Sequence, residues 1–139
     1  MYLDTSVVVK LYVAEPDSAE CEARLDGSGL VSSELLLGEF FSALLAKERD
    51  KEISAAERGR IWALFESHVA ERRIHLLALD GEVVRDARAL MAEVHPAVPL
   101  RTLDALHLAT FRAVSAGPLF SKDKRMNAAA RRLPLPVVG

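Results

Sequence analysis

Along most of this chain apolar residues recur at helical spacing, and between the helical stretches lie short apolar runs without polar alternation. Met1 to Asp4 predicts a strand running straight into a helix from Ser6 to Tyr12, and Pro16 can open a second helix reaching Leu25. Asp26-Gly27-Ser28-Gly29 breaks the chain before a short strand, Leu30 to Ser32, and an apolar helix, Glu34 to Lys47. Ser54-Ala55-Ala56-Glu57 has capping-box form, so another helix starts there and continues toward Glu71, closing a helical hairpin. Ile74 to Leu77 reads as a buried strand. Asp80 caps a helix through Val83, Ala87, Leu90 and Met91 that Pro96 and Pro99 end. A helix from Thr102 to Ser115 stops at Gly117-Pro118. Leu119 to Ser121 then predicts a strand, Asp123 to Arg132 a short helix, and Val137-Val138 a last strand.

This alternation predicts an α/β fold with a short, mostly parallel sheet of about five strands, covered by helices on both faces through right-handed crossovers. A chain of 139 residues, 50% of them hydrophobic, is sized for one domain spanning residues 1–139, and it shows no repeat or linker. Cys21 is the only cysteine, which excludes a disulfide framework or a thiolate metal site and fits a reducing cytoplasm. The apolar N-terminus carries Asp4 and Lys10, and no run approaches the roughly 18 uncharged residues of a membrane span, so no membrane or secretion segment is expected. Net charge is −2, so nucleic-acid binding would need a local patch. Lys122, Lys124, Arg125, Arg131 and Arg132 supply a candidate, with a solvated helix face as the plain alternative.

Four acids change the picture. Asp4, Glu39, Asp104 and Asp123 each lie inside or beside an apolar or tightly structured stretch, where a carboxylate is costly unless paired, hydrogen-bonded or bound to a cation. Each has a plain explanation alone: Asp4 and Asp123 as helix caps, Asp104 as a complement to a helix dipole, Glu39 as a solvent-facing or ion-paired residue. Together they gain weight. Ligands of an open parallel sheet bind beyond the carboxyl ends of its strands; Asp4 ends the first strand and Asp123 follows a later one, while Glu39 and Asp104 occupy the early turns of helices that leave the same edge. Converging carboxylates call for hard divalent cations with oxygen ligands, Mg²⁺ or Mn²⁺. The chain lacks a cysteine–histidine cluster for zinc and a closely spaced acidic loop for calcium. Such a site suits phosphodiester hydrolysis by activated water, and no serine–histidine or cysteine–histidine nucleophile competes with it.

Tyr2-Leu3-Asp4-Thr5-Ser6, Glu39 in its apolar helix, Leu100-Arg101-Thr102-Leu103-Asp104-Ala105-Leu106-His107-Leu108-Ala109 and Phe120-Ser121-Lys122-Asp123-Lys124-Arg125 resemble the PIN-domain ribonucleases, the VapC toxin group in particular. The resemblance runs through the whole chain. It implies an α/β/α sandwich, Mg²⁺- or Mn²⁺-dependent endoribonuclease activity as the toxin of a type II toxin–antitoxin pair, an RNA substrate, homodimerisation and a small VapB-like antitoxin. It also implies that Asp4, Glu39, Asp104 and Asp123 are the metal-binding and catalytic acids, Asp4 and Asp104 as direct ligands, with Thr5 or Ser6 supporting them. Two other classes fit the residues: an aspartyl-phosphate phosphohydrolase using Asp4, weakened by Ser6 where a second Asp is expected, and a non-catalytic module whose acidic pocket binds a basic partner segment. His107 reads as a hydrogen-bonded structural histidine, and Trp62, Phe65 and Val69 as packing or dimer surface.

Overall fold

A computed structural model describes residues 1–114 and 117–138. Four short strands, β1 (Tyr2–Leu3), β2 (Leu30–Ser33), β3 (Ile74–Leu77) and β4 (Leu119–Phe120), form one parallel sheet in the order β3-β2-β1-β4. Tyr2 pairs with Val31 on one side and with Leu119 on the other. Seven helices connect the strands among the described residues: α1 (Thr5–Tyr12), α2 (Ser18–Ala23), α3 (Leu35–Arg49), α4 (Ala55–Ala70), α5 (Gly81–Val94), α6 (Thr102–Val114) and α7 (Lys124–Arg132).

Successive strand residues point to opposite faces, so the sheet divides the core in two. Tyr2 and Leu119 pack with Val83, Leu90, Leu108 and Met126 from α5, α6 and α7. Leu3 and Phe120 pack with Val7, Val8, Leu36, Phe40, Leu44 and Phe65 from α1, α3 and α4. The result is three layers, α/β/α. Both strands are buried on both faces, which explains why their sequence lacks polar alternation.

Local capping signals hold as read. Ser54 and Glu57 form a reciprocal capping box, and Asp80 accepts from the Val83 amide. Phe65 is fully buried, with Trp62 and Val69 partly buried against the same core, so packing explains the aromatic face of α4. The expected end of α6 at Ser115 lies outside the described residues. Gly117 beyond it has φ +79°, a left-handed conformation natural to glycine.

The expectation of about five strands is corrected to four. Val137-Val138 makes one isolated bridge, Leu119 to Val137, rather than a strand. Pro136 accepts from the Leu119 amide but has no N–H with which to extend a ladder, and Pro134 precedes it closely.

Candidate active site

From β1 the chain steps to β2 and then β3, and returns to place β4 on the far side of β1. That reversal of strand order opens a crevice at the carboxyl edge. Asp4 follows β1 directly, Asp123 lies three residues after β4, Glu39 is in the second turn of α3 and Asp104 in the first turn of α6. The fold therefore brings all four acids to one edge.

Asp4 is buried, and its carboxylate is tightly held. Oδ1 accepts from the Ser6 hydroxyl at 2.7 Å and from the Val7 amide at 3.4 Å, and Oδ2 accepts from the Ser121 hydroxyl at 2.8 Å. It thus does cap α1, as its plain explanation required, while facing the site. Burial pushes its pKa up, opposed by the Ser6 hydrogen bond and the nearby His107. Ser6 and Ser121 also fix the β4–α7 turn: Ser6 Oγ accepts from the Lys122 amide and Ser121 Oγ from the Asp123 amide, both at 2.9 Å.

Glu39 receives two donors on one oxygen. Thr5 Oγ1 donates to Oε1 at 2.9 Å, and His107 Nε2 stands 2.5 Å from the same atom. His107 Nδ1 is 2.8 Å from the Tyr2 hydroxyl, deep in the core. Tyr2 holds its proton firmly, its pKa raised by burial and then by the charge of Asp4. The ring thus joins the Tyr2 hydroxyl to Glu39 through its two nitrogens. Burial works to raise the Glu39 pKa, but the bonds from His107 and Thr5, with charge from His107 and Arg101, outweigh it and hold this carboxyl below its ordinary value. Glu39 is therefore an oriented carboxylate with Oε2 free of these two donors.

Arg101 ties the remaining pair. Its Nε and Nη2 donate to Asp104 Oδ2 and Oδ1 at 2.9 and 3.2 Å, and Nη2 also donates to Asp123 Oδ2 at 2.9 Å. These contacts, the Asp104 hydrogen bond foremost, raise the pKa of the arginine. Asp104 is buried, and Asp123 caps α7 by accepting from the Arg125 and Met126 amides. A cleft of about 250 Å³ lies between Glu39, Arg101, Thr102, Leu103 and Asp104.

The donor chemistry fits a hard divalent cation: four carboxylates at one edge, no sulfur, and a guanidinium already lying across two of them where positive charge is needed. Among the described residues no three acidic, histidine or cysteine side chains stand in a closed ligand set. Of the four acids, Glu39 and Asp104 line the cleft, while Asp4 and Asp123 are tied to the same sheet edge through Ser121 and Arg101. Sequence reading attached no role to Arg101, Ser121 or Tyr2 and left His107 as structural. Arg101, three residues before Asp104, and Ser121, two before Asp123, are detectable only as polar neighbours of an acid. His107 is buried and hydrogen-bonded on both ring nitrogens, as the structural reading expected, and one of its two partners is Glu39.

Residues 1–132 match the PIN domain family. The chain is 38% identical to Ribonuclease VapC46 of Mycobacterium tuberculosis, covering 99% of this chain and 95% of that one. Its fold resembles Mycobacterium tuberculosis VapC20, described as a sarcin-ricin loop cleaving toxin, with a TM-score of 0.70 at 16% identity over 92% and 93% of the two chains. It also resembles VapBC2 from Rickettsia felis, solved bound to a DNA fragment from its promoter, with a TM-score of 0.68 at 16% identity over 99% and 96%. These low identities bear on fold alone; the PIN-domain match and the 38% identity establish that this chain belongs to the PIN-domain family, in its VapC group.

Proposed function

We propose that this protein is a divalent-metal-dependent endoribonuclease and the toxin of a toxin–antitoxin pair, folded as one domain over residues 1–139 and working in the cytoplasm as a homodimer neutralised by a VapB-like antitoxin. The observation that carries the reading is the linkage of four acids at one sheet edge in a chain 38% identical to a named ribonuclease. Asp4, Glu39, Asp104 and Asp123 would hold Mg²⁺ or Mn²⁺, Asp4 and Asp104 most directly.

A bound divalent cation supplies Lewis-acid charge to a phosphodiester and makes water more acidic. The chain supplies the rest. Ser6 and Ser121 hold Asp4 in one orientation, and Thr5 with His107 hold Glu39 with one oxygen presented to the cleft. Arg101 stands over the cleft with its side chain 59% exposed, able to meet a phosphate once its carboxylate partners are otherwise neutralised. Hydrolysis adds the attacking water's oxygen to phosphorus, breaks one P–O ester bond and returns a proton to the departing oxygen.

An aspartyl-phosphate enzyme fits this chain less well, because residue 6, two after Asp4, is Ser where that class needs a second Asp, and Ser6 serves here as a hydrogen-bond donor to Asp4. The test is incubation of purified, partner-free protein with total RNA in Mn²⁺ or in EDTA. Discrete fragments in Mn²⁺ alone support the reading; intact RNA with metal bound moves the site to a non-catalytic acidic pocket for a basic partner segment.

A further inference from the structure

The acid site uses none of the exposed cations of α7. This helix buries Met126, Ala129 and Ala130 against the sheet. At 3.6 residues per turn Lys124, Arg125, Arg131 and Arg132 fall on the opposite side within a sector of about 120°, Lys124 in line with Arg131 and Arg125 with Arg132, about 10.5 Å apart along the axis. All four are exposed. Among the described residues none of them makes an ion pair. Lys122 differs, since it is committed to Asp17 and Glu20 of the α2 region.

Two features separate this stripe from an ordinary solvated face. The first is concentration: α7 contains no acidic residue, and without these four the 18 basic residues of the chain fall to 14 against 20 acidic ones, leaving the remainder at −6. The second is placement. Arg131 and Arg132 in the last turn complement the helix dipole, but Lys124 and Arg125 occupy the first two positions, where helix amides already gather positive charge. Asp123 offsets this only in part, because its Oδ2 is engaged by Arg101. Adjacent, unpaired cations at that end are relieved by an arriving anion.

We propose that the outer face of α7 is a track for the RNA sugar-phosphate backbone, with Lys124 and Arg125 holding a phosphate just outside the acid site and Arg131 and Arg132 holding one farther along the strand. The choice of RNA as the polyanion rests on the nuclease reading. It is favoured over an acidic protein because the stripe starts at the residue after Asp123, directly beside the acid site. The face carries no aromatic side chain to stack bases, so it grips without reading sequence.

The test is fluorescence anisotropy of a labelled single-stranded RNA oligonucleotide titrated with protein in EDTA, where cleavage is off, across a KCl series. It compares wild type with the combined Lys124→Gln, Arg125→Gln, Arg131→Gln and Arg132→Gln variant, whose thermal unfolding confirms the fold. The expected result is affinity weakened by about tenfold or more, with the slope of log K against log salt reduced by about 0.7 for each phosphate that the variant no longer neutralises. In Mn²⁺ the variant's KM for RNA should rise by more than its kcat falls. Unchanged affinity and slope would overturn the track while Mn²⁺-dependent cleavage still stood, and would turn the face toward an acidic protein partner. A wild type that binds RNA through α7 but never cleaves it would sink the nuclease reading and keep the track.

Discussion

Arg101 lies across Asp104 in a two-point contact, Nε to Oδ2 at 2.9 Å and Nη2 to Oδ1 at 3.2 Å, and the same Nη2 reaches Asp123. The chain thus places its own cation at its acid site. Any divalent ion that binds these carboxylates competes with the guanidinium. Arg101→Ala should therefore tighten Mn²⁺ binding by roughly three- to tenfold, about 1 kcal/mol, while lowering RNA cleavage. Calorimetric Mn²⁺ titration beside cleavage rates checks this; affinity and activity falling together would mean that Arg101 only supports the fold.

His107 joins the core to the site, with Tyr2 on one ring nitrogen and Glu39 on the other. His107→Ala should destabilise the protein by about 1–3 kcal/mol by removing the partner of the buried Tyr2 hydroxyl and one of the two donors to half-buried Glu39, and should also weaken Mn²⁺ binding because Glu39 loses its orientation. Phe65→Ala, remote from the acids, should cost about 3–5 kcal/mol and leave Mn²⁺ affinity unchanged. Urea unfolding and Mn²⁺ titration of both variants separate the two effects.

Glu15 connects the helices that carry the acids, bonding Lys10 of α1 at 2.5 Å and Lys47 of α3 at 3.1 Å. Burial alone would raise its pKa, but the bonds and charges of Lys10 and Lys47 hold it below the ordinary 4.5. A depressed folded-state pKa means stability that is present above 4.5 and lost as pH falls through the lower, folded value. Glu15→Gln should thus cost on the order of 1 kcal/mol near neutrality and flatten the acid limb of the stability profile. Urea midpoints from pH 7 down to pH 3 test it, and parallel profiles for wild type and variant would contradict it.

What the sequence could show was set by the range of each interaction. The Ser54–Glu57 box, the Asp80 cap and the bounds of Ile74–Leu77 depend on near neighbours and were legible, but that strand, expected to be buried, is the sheet's edge with only Ile74 buried, because position in the sheet is set by long-range pairing. Asp4 and Asp123 were placed at the sheet edge because strand ends fix them. Val137 misled because two β-branched residues read alike whether they make a ladder or one bridge, and only Pro136 hints which. His107 and the bridging role of Arg101 were opaque because the contacts that define them span elements: Tyr2 is 105 positions from His107, Glu39 68 from His107, and Asp123 22 from Arg101, whereas Asp104, three residues from Arg101, shows only a local pair. No local pattern encodes contacts of that range.

Metal-dependent RNA hydrolysis by the carboxylates at the sheet edge is tested most directly by the cleavage rate of one RNA by wild type, Asp4→Asn and Asp104→Asn in saturating Mn²⁺, with folding checked by thermal unfolding. Loss of roughly 10²-fold or more in each folded variant is the predicted result. Wild-type rates in a folded Asp104→Asn protein would contradict it.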